Sequence, residues 1–143
     1  MNLDWIDDEE LLYRAVLSNS SLSQLDRNSL ITPTLFMDAK GVSVDRDGDR
    51  PEEECVDCFR RRFSRTTTQT NGKSIRSYQG TVRLNAHQCR AVAAFPRPAV
   101  GNPNRNPYHA HICNSDCDTD FEISILKATQ LLNMCSIVEL AGE

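Results

Sequence analysis

Four acids at Asp7–Glu10 give way to the apolar run Leu-Leu-Tyr-Arg-Ala-Val-Leu. Carboxylates ahead of such a run suit the positive end of a helix dipole, so the order predicts a helix over about residues 8–17. Ser18 to Ser29, rich in Ser, Asn and Asp, reads as a loop or a weak second helix. Gly41-Val42-Ser43-Val44 alternates as a short strand does. The best-signalled element follows. Asp49 offers an N-cap, Pro51 falls in the first turn and Glu52-Glu53-Glu54 load the positive end of a helix over about residues 50–63. Its four-residue spacing puts Cys55, Phe59 and Phe63 on one stripe.

Thr66 to Ser74 reads as a polar loop around an Asn71-Gly72 turn. Gly80 to Leu84 can form a strand, and Asn85 with Gln88 has capping-box spacing for a short helical turn. Ala91 to Phe95 reads as a small-residue strand closed by Pro96-Arg97-Pro98, and residues 96–107 as a proline- and asparagine-rich loop. Tyr108 to Cys113 is a strand candidate. Thr119 and Glu122 make a second capping-box pattern, opening a helix of about 15 residues with Ile123, Leu126 and Leu131-Leu132 inward. Ser136 to Leu140 is the last strand. The irregular alternation predicts a single compact α+β domain over residues 1–143, with a small mixed or antiparallel sheet packed against two or three helices.

A chain of 143 residues can bury a core without disulfides. Nothing in it approaches the roughly 20 apolar residues of a membrane helix, and its first residues lack the basic start and apolar run of a secretory signal. The expectation is a cytoplasmic protein without membrane contact, its six cysteines reduced.

The net charge of −4 conceals a strong segregation. Residues 1–57 carry 14 acids and 5 bases, residues 58–115 carry 10 bases and no acid, and residues 116–143 carry 6 acids and 1 base. Nine of the ten central bases are arginine, whose planar fork suits phosphate and carboxylate. Two readings follow. Arg60, Arg76, Arg83, Arg97 and Arg105, with Tyr108 beside them, could form a face for a polyanion (nucleic acid or a nucleotide phosphate) or for an acidic protein partner. Alternatively the acidic flanks fold back and neutralise the middle.

All three histidines lie in the acid-free segment. Strand alternation sends His109, His111 and Cys113 to one face, with Cys117 near enough to return to it. Imidazole titrates near neutrality, so His87, His109 and His111 are candidates for proton transfer in a metal-independent ribonuclease or phosphodiesterase. His109, His111, Cys113 and Cys117 also supply the atoms of a zinc site, although their spacing matches no standard zinc motif. The plain alternative is that the histidines are hydrogen-bonded strand positions. No cofactor is called for beyond that possible zinc.

Two other patterns are weaker than they look. Cys55-Val56-Asp57-Cys58 lies inside the predicted helix, where a core role suits Cys55 better than redox or metal chemistry. Asp45-Arg46-Asp47-Gly48-Asp49 imitates a calcium loop but has Arg50 where glycine is needed and Val56 where the bidentate glutamate belongs.

Overall fold

The computed structural model describes residues 1–19, 31–63, 76–99, 106–117 and 119–140, the side chains of Ser18, Asn19 and Arg76 excepted. Strands β1 (Leu11–Asn19), β2 (Val42–Arg46), β3 (Arg76–Asn85), β4 (Phe95–Pro98), β5 (His109–Cys113) and β6 (Ser136–Leu140) form one sheet. Its order is β4-β5-β2-β1-β3-β6, and every pairing is antiparallel. Helices α1 (Glu52–Arg62), α2 (Ala86–Ala91) and α3 (Ile125–Met134) complete an α+β fold. No described helix is long and apolar enough to cross a membrane.

The two faces of the sheet are covered unequally. On the first, Leu12, Val16, Val42, Val44, Val82, Leu84, Ala110 and Ile112 join Ala86 and Cys89 of α2, Ala128 and Leu131 of α3, and Phe36 of the 3-10 turn Pro33–Phe36 in the main core. On the second, α1 lays Cys55 and Phe59 against Tyr13, with Leu11, Ala15, Phe63, Tyr78 and Val138 around them. Among the described residues this helix packs mainly on β1 and β3 and reaches β2 through the Arg62–Asp45 pair.

The N-terminal segment is fastened by two arginines. Arg46 is 1% exposed and gives Nε and Nη2 to the Glu10 carboxylate at 2.7 and 2.6 Å, with further bonds to the carbonyls of Asn2 and Trp5. Arg90 pairs with Asp8, bonds the Ile6 carbonyl and lies over the Trp5 ring. Ile6 is thereby held fully buried in the main core.

Several sequence expectations require correction. Residues 8–17 are not a helix. The apolar run is the inner strand β1, buried on both faces because Leu12 and Val16 enter one core cluster and Tyr13 the other. A strand covered on both sides loses the alternation that would mark it. Asp49 does not cap α1. It sits at φ 61° beside Gly48 at φ 58°, and Arg50 N–H bonds Asp47 O, so Asp47–Arg50 is a tight turn of type I′ character ahead of α1. Gly48 is also needed for space, since a Cβ there would lie 2.4 Å from the Tyr108 ring. Of the strand expected at residues 91–95 only Phe95 is strand; residues 91–94 are the end of α2 and a turn, and the prolines lie within edge strand β4 (Phe95–Pro98). Pro96 and Pro98 are two apart, so both missing N–H groups fall on the unpaired side. The final helix begins at Ile125 behind a Ser124 cap, not at Thr119, and Leu126 is 68% exposed. The Asn85–Gln88 capping box is present as read. The loop expected at Ser18–Ser29 gives its first two residues to β1, and the rest of it, like Thr66–Ser74, lies outside the described residues.

Candidate functional site

Beyond the Tyr13–Asp45 pair β1 and β2 part, and beside the C-terminal end of α1 lies a cleft of about 760 Å³ lined from both faces of the sheet. That is within the range of roughly 300–1,000 Å³ usual for small-molecule sites. Phe59, Arg62 and Phe63 at the C-terminal end of α1 form one wall. Leu35, Thr34 and Asp38 form another, and Asn106 closes the end near His109.

Strand register sets the floor. Asp45 pairs with Tyr13 on one side and His109 on the other, and Ser43 pairs with His111, which in turn pairs with Arg97. Alternation sends Val42, Val44, Ala110 and Ile112 into the main core, so Ser43, Asp45, His109 and His111 face the cleft side. Asp45 is 2% exposed, and its carboxylate accepts from Arg62 Nη2 at 3.0 Å and Asn106 Nδ2 at 3.1 Å. Arg14 crosses the floor, donating to the carbonyls of Leu35 and Ser43.

His109 and His111 meet. Their Nε2 atoms are 3.3 Å apart, and their ring centroids are only 4.7 Å apart. The ring planes cross at 62°, so the rings meet edge-on at Nε2. Burial, reinforced by His109, lowers the proton affinity of His111, with Asp38 acting in the opposite direction. No protein-family model, curated protein or solved structure matches the chain.

The third histidine does not join this pair. His87 opens α2, which packs on the opposite face of the sheet, and its Nδ1 lies 3.7 Å from Asp8 Oδ2 at an exposed position. A proton-transfer trio of His87, His109 and His111 is therefore not assembled. The four zinc donors do not converge either. Cys113 is buried, and a Cβ at neighbouring Gly41 would lie 3.2 Å from its Sγ. Cys117 is exposed in the next turn, its Sγ 3.3 Å from Thr119 Oγ1. Among the described residues no group of three or more His, Cys, Asp or Glu side chains is arranged to hold a metal ion. The same holds for the aspartates of the calcium-like segment, where Asp45 is engaged by Arg62 and Asn106.

The arginines are largely answered by the acidic flanks. Arg60 bonds the Glu139 carboxylate through Nε and Nη2 at 2.8 and 2.6 Å and also meets Glu53 and Asp57. Glu139 also accepts from the Tyr78 hydroxyl at 2.6 Å, and the Arg60 guanidinium holds its carboxyl below the usual carboxylate range. Arg83 pairs with Glu52, which accepts from Tyr13 as well. Arg62 and Arg90 pair with Asp45 and Asp8. Arg97 lies on β4 in register with His111. Arg105 and the Arg76 side chain lie outside the described residues. Tyr108 takes a packing role, its ring 3.5 Å beneath the Arg50 guanidinium.

All six cysteines are free, and burial pushes the thiols of Cys55 and Cys89 up to about 11 and about 12. Both are core groups, as the helix reading of Cys55 implied. Sequence reasoning missed Asp45 as the centre of the site. Its register between Tyr13 and His109 is a tertiary fact, invisible until β1, β2 and β5 are paired.

Proposed function

We propose that the protein is a small binding module whose cleft takes a ligand carrying an anionic group, a nucleotide phosphate being the nearest chemical fit. One observation carries this reading: Arg62 and His109 both line a ligand-sized cleft that also offers the apolar rings of Phe59 and Phe63. Phosphate would draw Arg62 by its guanidinium and His109 by its ring N–H, and a flat apolar ligand body would lie on the α1 wall. The pairing of Arg60, Arg83 and Arg90 with carboxylates favours a compact anion over a long polyanion tract.

Calorimetric titration of untagged protein with adenine and guanine mononucleotides tests it. Saturable binding is expected, weakened at least about tenfold by Arg62→Ala, because hydrogen bonds to charged groups contribute about 1.5–3 kcal/mol. Arg83→Ala, remote from the cleft, should leave affinity unchanged. Because few phosphates are engaged, log K should fall with log salt at a slope of about −1 to −2, far from the roughly −10 of extended polyanion contacts. Absence of nucleotide binding rejects the reading. A steep salt slope with heparin or RNA would restore the polyanion face.

The imidazole pair favours a second reading, a phosphodiesterase in which one histidine donates and the other accepts a proton. His111 resists protonation, so it stays a neutral base below the usual imidazole value of about 6.5, and the acid limb of the rate profile should lie below that pH. Hydrolysis of dinucleotides should fall at least about 100-fold in His109→Gln and His111→Gln. Inertness of the native protein toward phosphodiesters across pH 5–8 removes this reading.

A further inference from the structure

We propose that His109 and His111 together form an open, two-imidazole site for a divalent transition-metal ion, distinct from a closed zinc site built with Cys113 and Cys117. Two nitrogens bound to one tetrahedral ion at 2.0–2.1 Å stand about 3.3–3.4 Å apart. The Nε2 atoms are 3.3 Å apart, so the span needed to chelate an ion already exists. The rings meet edge-on, with centroids 4.7 Å apart and planes crossed at 62°, so their close approach is at the Nε2 atoms. Strand geometry holds this arrangement: β5 is paired on both edges, to β2 through Ser43 and Asp45 and to β4 through Arg97 and its neighbours, so neither backbone position is free to drift.

The electrostatic surroundings are mixed and define the strength of the site. Asp45 beside His109 and Asp38 near His111 favour a cation, while Arg97, in register with His111, opposes one. Asp45 is already engaged by Arg62 and Asn106, so it acts through its charge and not as a ligand. Two protein ligands leave the other coordination positions to water. Such a site is exchangeable, contributes nothing to folding in the absence of the ion, and ranks metals by imidazole preference, Cu²⁺ above Ni²⁺ and Zn²⁺. Coordination uses neutral imidazole, so protons compete with the ion.

The inference does not depend on the anion reading, because the probe is the metal ion alone, with no nucleotide present. Untagged protein is titrated with Cu²⁺ and followed by electron paramagnetic resonance and by the ring resonances of the three histidines. One ion per chain is expected, with nitrogen hyperfine structure from two imidazoles. The His109 and His111 ring signals should broaden together at substoichiometric Cu²⁺, while that of His87 does not. His109→Gln and His111→Gln should each lose the two-nitrogen signature, whereas His87→Gln and Cys117→Ser keep it. Should either strand variant fail to fold, the joint broadening in the native protein still decides the matter. Broadening of His87 first, sulfur ligation, or an unaltered spectrum in His109→Gln would each overturn the proposal.

Discussion

Replacing Arg46 with alanine is expected to lower the unfolding free energy by about 3–5 kcal/mol, since removing one partner of a buried ion pair strands the other. Arg46 lies on β2 opposite Leu12, at the edge of the main core, with only 1% of its side chain exposed. Its guanidinium satisfies both oxygens of Glu10 and the carbonyls of Asn2 and Trp5. Alanine leaves a carboxylate that is 15% exposed and two carbonyls without their donor. The N-terminal segment then loses its tie to the sheet, and Ile6, fully buried, becomes hydrated. Lysine should recover only part of the loss, because one ammonium cannot reproduce a planar fork that spans a carboxylate and two carbonyls. Arg46→Met combined with Glu10→Gln should be less damaging than Arg46→Ala alone, since it removes both charges together. Urea denaturation of the variants measures each step. A loss below about 1 kcal/mol for Arg46→Ala would mean that water reaches the site and that the clamp is not structural.

Local chemistry was legible and long-range partnership was not. The carboxylates of Glu52–Glu54 and the stripe of Cys55, Phe59 and Phe63 announced α1, and the Asn85–Gln88 pair announced α2, because both signals act within a single turn. The alternation of Tyr108–Cys113 likewise placed His109 and His111 on one face without any knowledge of β2 or β4. The same reasoning failed at Leu11–Leu17, where helices on both sides of the sheet make a strand apolar on both faces. It failed again at Thr119, where a capping pattern precedes a turn and the cap actually used is Ser124. The charge segregation showed that the acids and arginines were unevenly distributed. It could not show that Glu139 would meet Arg60 across 79 residues, or that Asp8 would meet Arg90 across 82. Those pairs convert what reads as a cationic tract into cross-links between the flanks and the middle of the chain. The cleft is where this pairing leaves cationic groups beside open floor: Arg62, though paired with Asp45, is 40% exposed at its side chain.

Phe59→Ala should be the most damaging change on the second face, costing about 3–5 kcal/mol, the usual range for truncating a buried phenylalanine. Phe59 is 3% exposed and, among the described residues, shares its cluster with two other fully covered side chains, Tyr13 and Cys55. Phe59 is carried on α1, so closing the void it leaves requires α1 itself to move. Phe63, its ring centroid 6.4 Å from that of Phe59 and partly exposed, is expected to cost less when truncated. Two of the polar ties of α1, Arg60 to Glu139 and Glu52 to Arg83, are partly hydrated and hold the helix only weakly without the ring. Two outcomes can be told apart by hydrogen exchange. If α1 and the sheet form one cooperative unit, amide protection should fall by the same free energy in both. If α1 opens separately, its amides lose protection while those of β1 and β2, anchored by the main core, keep theirs. The distribution of contacts favours the second outcome, since the larger cluster lies wholly on the opposite face. In that case the wall that carries Arg62 is the part of the molecule that opens most readily. Ligand binding in the cleft should then be lost in Phe59→Ala at temperatures where the sheet is still folded.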